Sequence, residues 1–392
     1  MRRIYLDHNS TTPIAPSVAK AIFDCHESGY VNPASQHQSG QLARRELESI
    51  RLEILKWLDA HTTGMDADRL VFTSGGTESN NLALLGLAGQ EPGQVLVSSI
   101  EHPSVFGPAE VLARQGFEVI SIPVSHSGVI DLAEAKKRIT AETRLVSLML
   151  ANNETGVIQP VAEIAKLCRE LGVRIHCDAT QAITKVPVSF RKLEIDAMTF
   201  SPHKFYGPRG IGGLVLKSSI TPNPILFGGF QQMGIRPGTE DLGLAVGTLT
   251  ALQLCEPCDD TKTNVYKAYK RVADLRNRLQ TGLEAMGAVT NGSDSPRLPN
   301  TLNISFPGVN RQAFLMAADM VGLDLSTGSA CASGSSEPSP VLVAMGLPDE
   351  VIEGSVRISL GLSNTAEEID EAIARIERIV QKRTTSDKEP RN

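Results

Sequence analysis

Arg144-Leu145-Val146-Ser147-Leu148-Met149, then Val161-Ala162-Glu163-Ile164-Ala165-Lys166-Leu167-Cys168-Arg169-Glu170-Leu171, then Val173-Arg174-Ile175-His176-Cys177: a short apolar run, an amphipathic stretch and a second short apolar run. The outer pieces suit buried strands, and the middle one carries its apolar residues at helical spacing. Strand, helix and strand in that order make a parallel pair with a crossover helix. Outward from this unit the pattern repeats. Residues 70–72, 94–98, 118–122, 197–200 and 213–216 read as further strands, with amphipathic stretches at 112–116 and 132–139. Leu42, Leu47, Ile50, Ile54 and Leu58 place a helix over 41–58 ahead of them. The expectation is an α/β fold with a mostly parallel seven-stranded sheet covered on both faces.

After residue 242 the order changes. A helical region runs over 242–286 with a break at Glu256-Pro257, then a strand at 301–306, a helix at 312–320, a strand at 356–360 and a closing helix at 366–380. This predicts a smaller α+β domain. The expected division is a large domain over 15–255, a small domain from 1–14 and 256–385, and a disordered tail at 386–392. Residues 384–392 are polar and should fray.

The chain has 392 residues, 41% apolar and 21% charged, as in a globular protein with a sizeable core. A net charge of -6 argues against a nucleic-acid partner, because phosphate contacts need clustered Lys and Arg. No apolar run is long enough for a membrane span. Six cysteines at irregular spacing do not form a disulfide framework, and motif-bearing sequence from Tyr5 onward leads to an expectation of no targeting segment. A cytoplasmic protein is expected.

Polar clusters fall at the carboxyl ends of the candidate strands, where open α/β sheets bind ligands. Thr73-Ser74-Gly75-Gly76-Thr77-Glu78 lies between a strand and a helix, so its glycines and free N–H groups suit an anion; a tight turn with a Thr cap explains it as well. Lys204, in Ser201-Pro202-His203-Lys204, could form a Schiff base with a carbonyl cofactor, with Ser201 and His203 as phosphate donors; taken alone, a surface-loop lysine is the commoner reading. Asp178 could keep a pyridine nitrogen protonated, although a helix cap is an equal reading. Gln181 could reach a ring hydroxyl, as could an amide of Asn152-Asn153, and His102 could stack on a flat ring or carry a proton. Cys331 sits among small residues, Thr327-Gly328-Ser329-Ala330-Cys331-Ala332-Ser333-Gly334, where exposure favours a reactive thiol; an ordinary loop cysteine is the other reading. No metal site is expected. Cys255-x-x-Cys258 has no second pair and is taken as incidental.

In order, Tyr5–Pro13 (5–13), 32–37, 73–81, 101–105, 151–160, 178–182, 201–207, 236–240, 329–331 and 357–361 resemble the cysteine desulfurases of the NifS/IscS type, a branch of the class V, fold-type I pyridoxal-phosphate enzymes. The resemblance covers nearly the whole chain. It implies pyridoxal 5'-phosphate on Lys204, with Asp178 at the pyridine nitrogen and His102 on the ring. Gln181 and Asn153 would hold the ring hydroxyl, and Gly76, Thr77, Ser201 and His203 the phosphate. Thr239 would join the phosphate from the neighbouring subunit of a homodimer, and Arg357 with Asn32 would bind the carboxylate of L-cysteine. Cys331 would take the sulfur as a persulfide and pass it to an acceptor or scaffold protein, iron–sulfur cluster assembly being the first choice.

The same residues leave room for a selenocysteine lyase or a desulfurase of tRNA or cofactor thiolation. A non-catalytic sulfur-pathway scaffold is the reading from a different class, and the full set of Lys204, Asp178, His102 and Cys331 argues against it. The chain departs from the family at Gln231-Gln232-Met233-Gly234, where a charged pair is usual, and at Ser336 and Pro340.

Overall fold

The computed structural model describes residues 2–254, 264–328 and 337–386. Cys255, Cys258, the break at Glu256-Pro257, Cys331, Ser336 and the tail from 387 lie outside the described residues.

The chain opens with a two-residue strand β1 (Ile4–Tyr5) and helices α1 (Pro16–Glu27) and α2 (Gln38–Trp57). Strand and helix then alternate through β2 (Arg69–Thr73), α3 (Gly76–Leu87), β3 (Gln94–Ser98), α4 (Pro103–Arg114), β4 (Glu118–Ile122) and α5 (Leu132–Arg138). The alternation continues with β5 (Thr143–Met149), α6 (Val161–Leu171), β6 (Arg174–Asp178), α7 (Phe190–Leu193), β7 (Ala197–Phe200) and β8 (Gly212–Leu216). Helices α8 (Leu242–Gln253) and α9 (Asn264–Glu284) lead to β9 (Val289–Thr290), β10 (Thr301–Ser305), α10 (Arg311–Met320) and β11 (Leu323–Asp324). Short helices α11 (Pro340–Ala344) and α12 (Asp349–Glu353), strand β12 (Ser355–Ser359) and the long α13 (Ala366–Ser386) complete the chain.

The large sheet has seven strands in the order β2-β8-β7-β6-β5-β3-β4. Only β8 runs against its neighbours, pairing antiparallel with β2 and β7. Successive residues alternate between two cores, as the pleat requires. Val95, Val97 and Leu145 pack with Leu84 and Leu214 on one face, whereas Leu96, Val146 and Ile175 pack with Ile54 and Ile164 on the other. A separate core joins Val272 and Leu279 of α9, Leu302 and Ile304 of β10, Val356 and Ile358 of β12, and Ile369 and Ile376 of α13. Ile4 and Leu6 from the N-terminus belong to it too.

Local chemistry explains where the elements start and stop. Gly172 ends α6 in the left-handed conformation (φ 71°) that a residue with a Cβ adopts only at a cost. Asp131 accepts from Ala133 N and Glu134 N to cap α5. Three sequence expectations need correction, and one helix was missed. The amphipathic stretch at 112–116 is only the end of α4, which begins at Pro103: proline is favoured in a first turn, and the further Pro108 is tolerated inside the helix. Helix α1 also starts on a proline and buries only Val18 and Cys25, so it left little periodic signal. Helix α2 begins at Gln38, earlier than 41, because His37 caps it from Gly40 N. Finally, residues 384–386 continue α13 instead of fraying.

Candidate active site

The parallel strands deliver their carboxyl ends to one cavity of about 250 Å³, lined by residues that include Gly76, Thr77, His102, Asn153, Asp178, Gln181, Ser201, His203, Lys204 and Arg357. Two sequence candidates lie elsewhere. Asn32 is exposed, is not among the residues lining the cavity, and accepts from Ala34 N at 2.9 Å. Thr239 is exposed and outside the cavity of its own chain.

Strand β2 ends in Thr73 and α3 opens at Gly76, so the N-terminal N–H groups of that helix face the cavity mouth. The turn is held from within, since Thr73 Oγ1 bonds Gly75 O at 3.0 Å and Ser79 Oγ at 2.8 Å. A Cβ on Gly76 would stand 3.4 Å from both Thr180 Oγ1 and the Ser201 Cβ. One on Gly212 would strike the Gly75 backbone. Glycine is therefore required at Gly212, whereas a methyl on Gly76 would fill the cup at ordinary contact distance.

Asp178, the last residue of β6, is buried and accepts from Thr180 N at 2.9 Å and from Asn80 Nδ2 at 2.7 Å. Lys204 ends a single turn after β7, and its Nζ donates to Asn9 O and Ser10 O, both at 2.7 Å. Gln181 donates to the same Asn9 carbonyl at 3.0 Å and accepts from buried Lys185 Nζ at 2.8 Å. Burial first, then Lys204 and Arg357, hold the Lys185 amine well below the usual lysine range. His203 is pushed down to about 4, by burial and then by Lys204, Arg209 and Lys185. His102 is lowered too, chiefly by burial and opposed by Asp178. Behind it, buried Glu101 accepts from Ser98 Oγ at 2.5 Å and Met149 N at 2.9 Å, and burial raises it to about 8.

Arg357 comes from the smaller sheet, in the middle of β12 and almost wholly buried. Its Nη2 meets Asp7 Oδ1 at 2.8 Å, and its Nη1 donates to Asn153 O at 3.1 Å and to Gly328 O. The site thus takes its cation from one sheet and its lysine and carboxylate from the other. Asn9 joins them: its carbonyl receives Lys204 and Gln181, and its Nδ2 donates to Thr301 Oγ1 at 2.8 Å on β10. Sequence reading quoted Asn9, Ser10, Asn80, Ser104 and Thr180 inside motifs but gave them no role. Lys185 was missed altogether. The only signal for it was a lysine in the run from Ala182 to Val188, apolar except for Thr184 beside it.

These residues fit pyridoxal phosphate. A lysine, a buried carboxylate and an imidazole surround the cavity, a Cβ on Gly76 would project toward Thr180 and Ser201 in the cup, and the buried Thr180 Oγ1 has no protein partner beside it. Fold and site together define a fold-type I pyridoxal-phosphate enzyme. The chain belongs to the aminotransferase class-V family, whose model matches residues 4–372. It is 36% identical over 389 residues to "Cysteine desulfurase IscS" of Dictyoglomus turgidum, covering 98% of this chain and 96% of that protein. Among solved structures it resembles a "NifS-like protein" (TM-score 0.87, 32% identity, 97% of this chain and 99% of that one). It also resembles "SspA in complex with cysteine" (TM-score 0.76, 28% identity, 92% and 99%).

Proposed function

We propose that the protein is a cysteine desulfurase that converts L-cysteine to L-alanine and carries the sulfur away as a persulfide on Cys331. The observation that carries this reading is the convergence of Lys204, Asp178 and Arg357 on one cavity, in a chain whose relatives are named cysteine desulfurases. When bound, pyridoxal phosphate supplies an electron sink for charge developing at the substrate's α-carbon. Lys204 would hold the cofactor, and its amine is the group placed to take the substrate's α-proton. Asp178, fixed by Asn80 and the Thr180 N–H, would hold the pyridine nitrogen. Gly76, Thr77, Ser201 and His203 would hold the phosphate, Asn153 and Gln181 the ring hydroxyl, and His102 the ring face.

Arg357 would receive the substrate carboxylate in place of its carbonyl acceptors on Asn153 and Gly328, a task suited to a planar guanidinium; the resemblance adds Asn32, which stands outside the cavity. Cys331 then acts as thiolate on the substrate sulfur. An S–S bond forms, the C–S bond breaks, and its electron pair stays with the carbon that is protonated to alanine. The chain acts as a homodimer in which Thr239 reaches the partner's phosphate site, a reading supported by the exposed Phe227, Phe230 and Met233 nearby in sequence. The separation of the small-sheet core from the two cores on the large sheet supports the division into a large domain (15–255) and a small one (1–14 and 256–385). The persulfide goes to an acceptor or scaffold protein in the cytoplasm, iron–sulfur cluster assembly being the destination favoured by the name of the relatives. Among the described residues no helix is long and apolar enough to cross a membrane.

The test is alanine release and persulfide formation from cysteine by the purified protein. Lys204→Ala should lose the visible band of the lysine-bound cofactor and all activity. Cys331→Ala should keep the band and lose both products; full activity in that variant would refute the assignment of Cys331. A colourless protein that cannot be reconstituted would refute the cofactor reading.

A further inference from the structure

Between Asp178 and His102 runs a chain of hydrogen bonds whose direction is fixed at each step. His102 caps α4: the Ser104 backbone N–H, which can only donate, meets His102 Nδ1 at 3.1 Å. Nδ1 is therefore the unprotonated nitrogen, and the proton of the neutral ring sits on Nε2. The Ser104 hydroxyl lies 2.8 Å from the same Nδ1, so it too must donate there. Its oxygen accepts from Asn80 Nδ2 at 2.8 Å. The other Nδ2 hydrogen goes to Asp178 Oδ2 at 2.7 Å, and the amide cannot be reversed without turning its oxygen on a carboxylate. Asn80 and Ser104 are both buried, so water does not compete for these groups.

We propose that Asn80 and Ser104 are positioning residues that tie the Asp178 carboxylate to His102 and hold that imidazole in its Nε2–H form. Asn80, one turn into α3, fixes the carboxylate and sets the rotation of the Ser104 hydroxyl. The hydroxyl in turn disfavours protonation at Nδ1. His102 therefore presents an N–H, not a basic nitrogen, from its Nε2 side. This inference rests on the reading of Asp178 and His102 as cofactor-facing residues and gives them a shared control.

The decisive measurement is the ¹⁵N spectrum of histidine-labelled holoenzyme, with His102 assigned by its substitution and the cofactor's visible band recorded on the same samples. Wild type should show a hydrogen-bonded, unprotonated Nδ1 and a protonated Nε2. Ser104→Ala removes a donor that favours the neutral ring, and Asn80→Ala frees the hydroxyl to accept from Nδ1–H. Each should raise the imidazolium-to-neutral ratio of His102 by roughly 3- to 10-fold at about pH 5.5. Ser104→Thr should restore the wild-type ratio, and the double variant should go no further than one single variant. An unchanged ratio in Ser104→Ala, failed rescue by threonine, or additive effects would overturn the proposal. If Asn80→Ala does not fold, the two Ser104 variants decide alone. A wild-type sample that develops no visible band refutes the cofactor reading, and the His102 ratios still judge the relay.

Discussion

Arg357 shows how much a single side chain is asked to do. Its guanidinium is buried among Asp7, Asn153 O and Gly328 O, and its Nε has no partner among the described residues. A substrate carboxylate would replace neutral carbonyl acceptors with a charged one, a stronger bond of the kind arginine forms bidentately. Lysine keeps the charge and loses the fork. Arg357→Lys is expected to raise KM for cysteine by about 10-fold or more while the bound cofactor's visible band is kept; steady-state kinetics beside an absorption spectrum check this. The sequence offered the arginine as an expectation by resemblance only. Its three acceptors come from positions near 7, 153 and 328, and no local pattern links them.

At the level of elements, the cup that faces the cavity depends on a strand that is not part of it. Gly212 opens β8 opposite Thr73, and a Cβ there would collide with Gly75. Gly212→Ala should displace the turn before α3 and weaken pyridoxal-phosphate binding by about 10-fold, with a stability loss of only about 1–3 kcal/mol. Equilibrium dialysis and thermal unfolding separate the two effects. The departure at Gln232 also finds its reason here. Its amide donates to Phe72 O at 2.8 Å and accepts from Phe72 N at 2.7 Å, which closes the free edge of β2. Pro340, another departure, stands in the first turn of α11 behind the Ser339 cap, where a proline costs nothing. The strands themselves were legible because most are short, continuously buried apolar runs. The proline-led helices α1 and α4 were not, because their starts resemble breaks.

Across the whole molecule, buried histidines couple the fold to pH. His8 is pushed down to about 4 by burial and by Lys185, and His176 to about 4 by burial against the opposing pull of Asp178. Unfolded, each would titrate near its ordinary 6.5. Between pH 6.5 and 4 the unfolded chain therefore binds protons that the folded chain refuses, and stability falls as pH falls through that window. Glu101, raised to about 8, works the other way: its share is lost as pH rises from 4.5 to 8. His8→Asn should reduce the acid-side slope by about one proton, or about 1.4 kcal/mol per pH unit; urea midpoints across that range measure it. The exposed Phe230 bears on assembly. Under the proposed homodimer, in which Thr239 of one chain would serve the other, Phe230→Glu is expected to shift the protein toward the monomer in sedimentation and to weaken cofactor retention.

The sequence by itself determined the alternation of strand and helix, the seven-stranded sheet and the chemical types gathered at its strand ends. These are short-range facts: apolar period, glycine between strand and helix, and a lysine or aspartate directly after a strand. Only the tertiary structure decided which of those groups meet. It put Asn9 between Lys204, Gln181 and β10, set Lys185 beneath Gln181, and oriented Asn80 and Ser104 between Asp178 and His102. The physical reason is that hydrogen-bond direction depends on which donor faces which acceptor across the packed core. Apart from the short-range pairs Gln181–Lys185 and His102–Ser104, spacing along the chain carries no trace of that pairing.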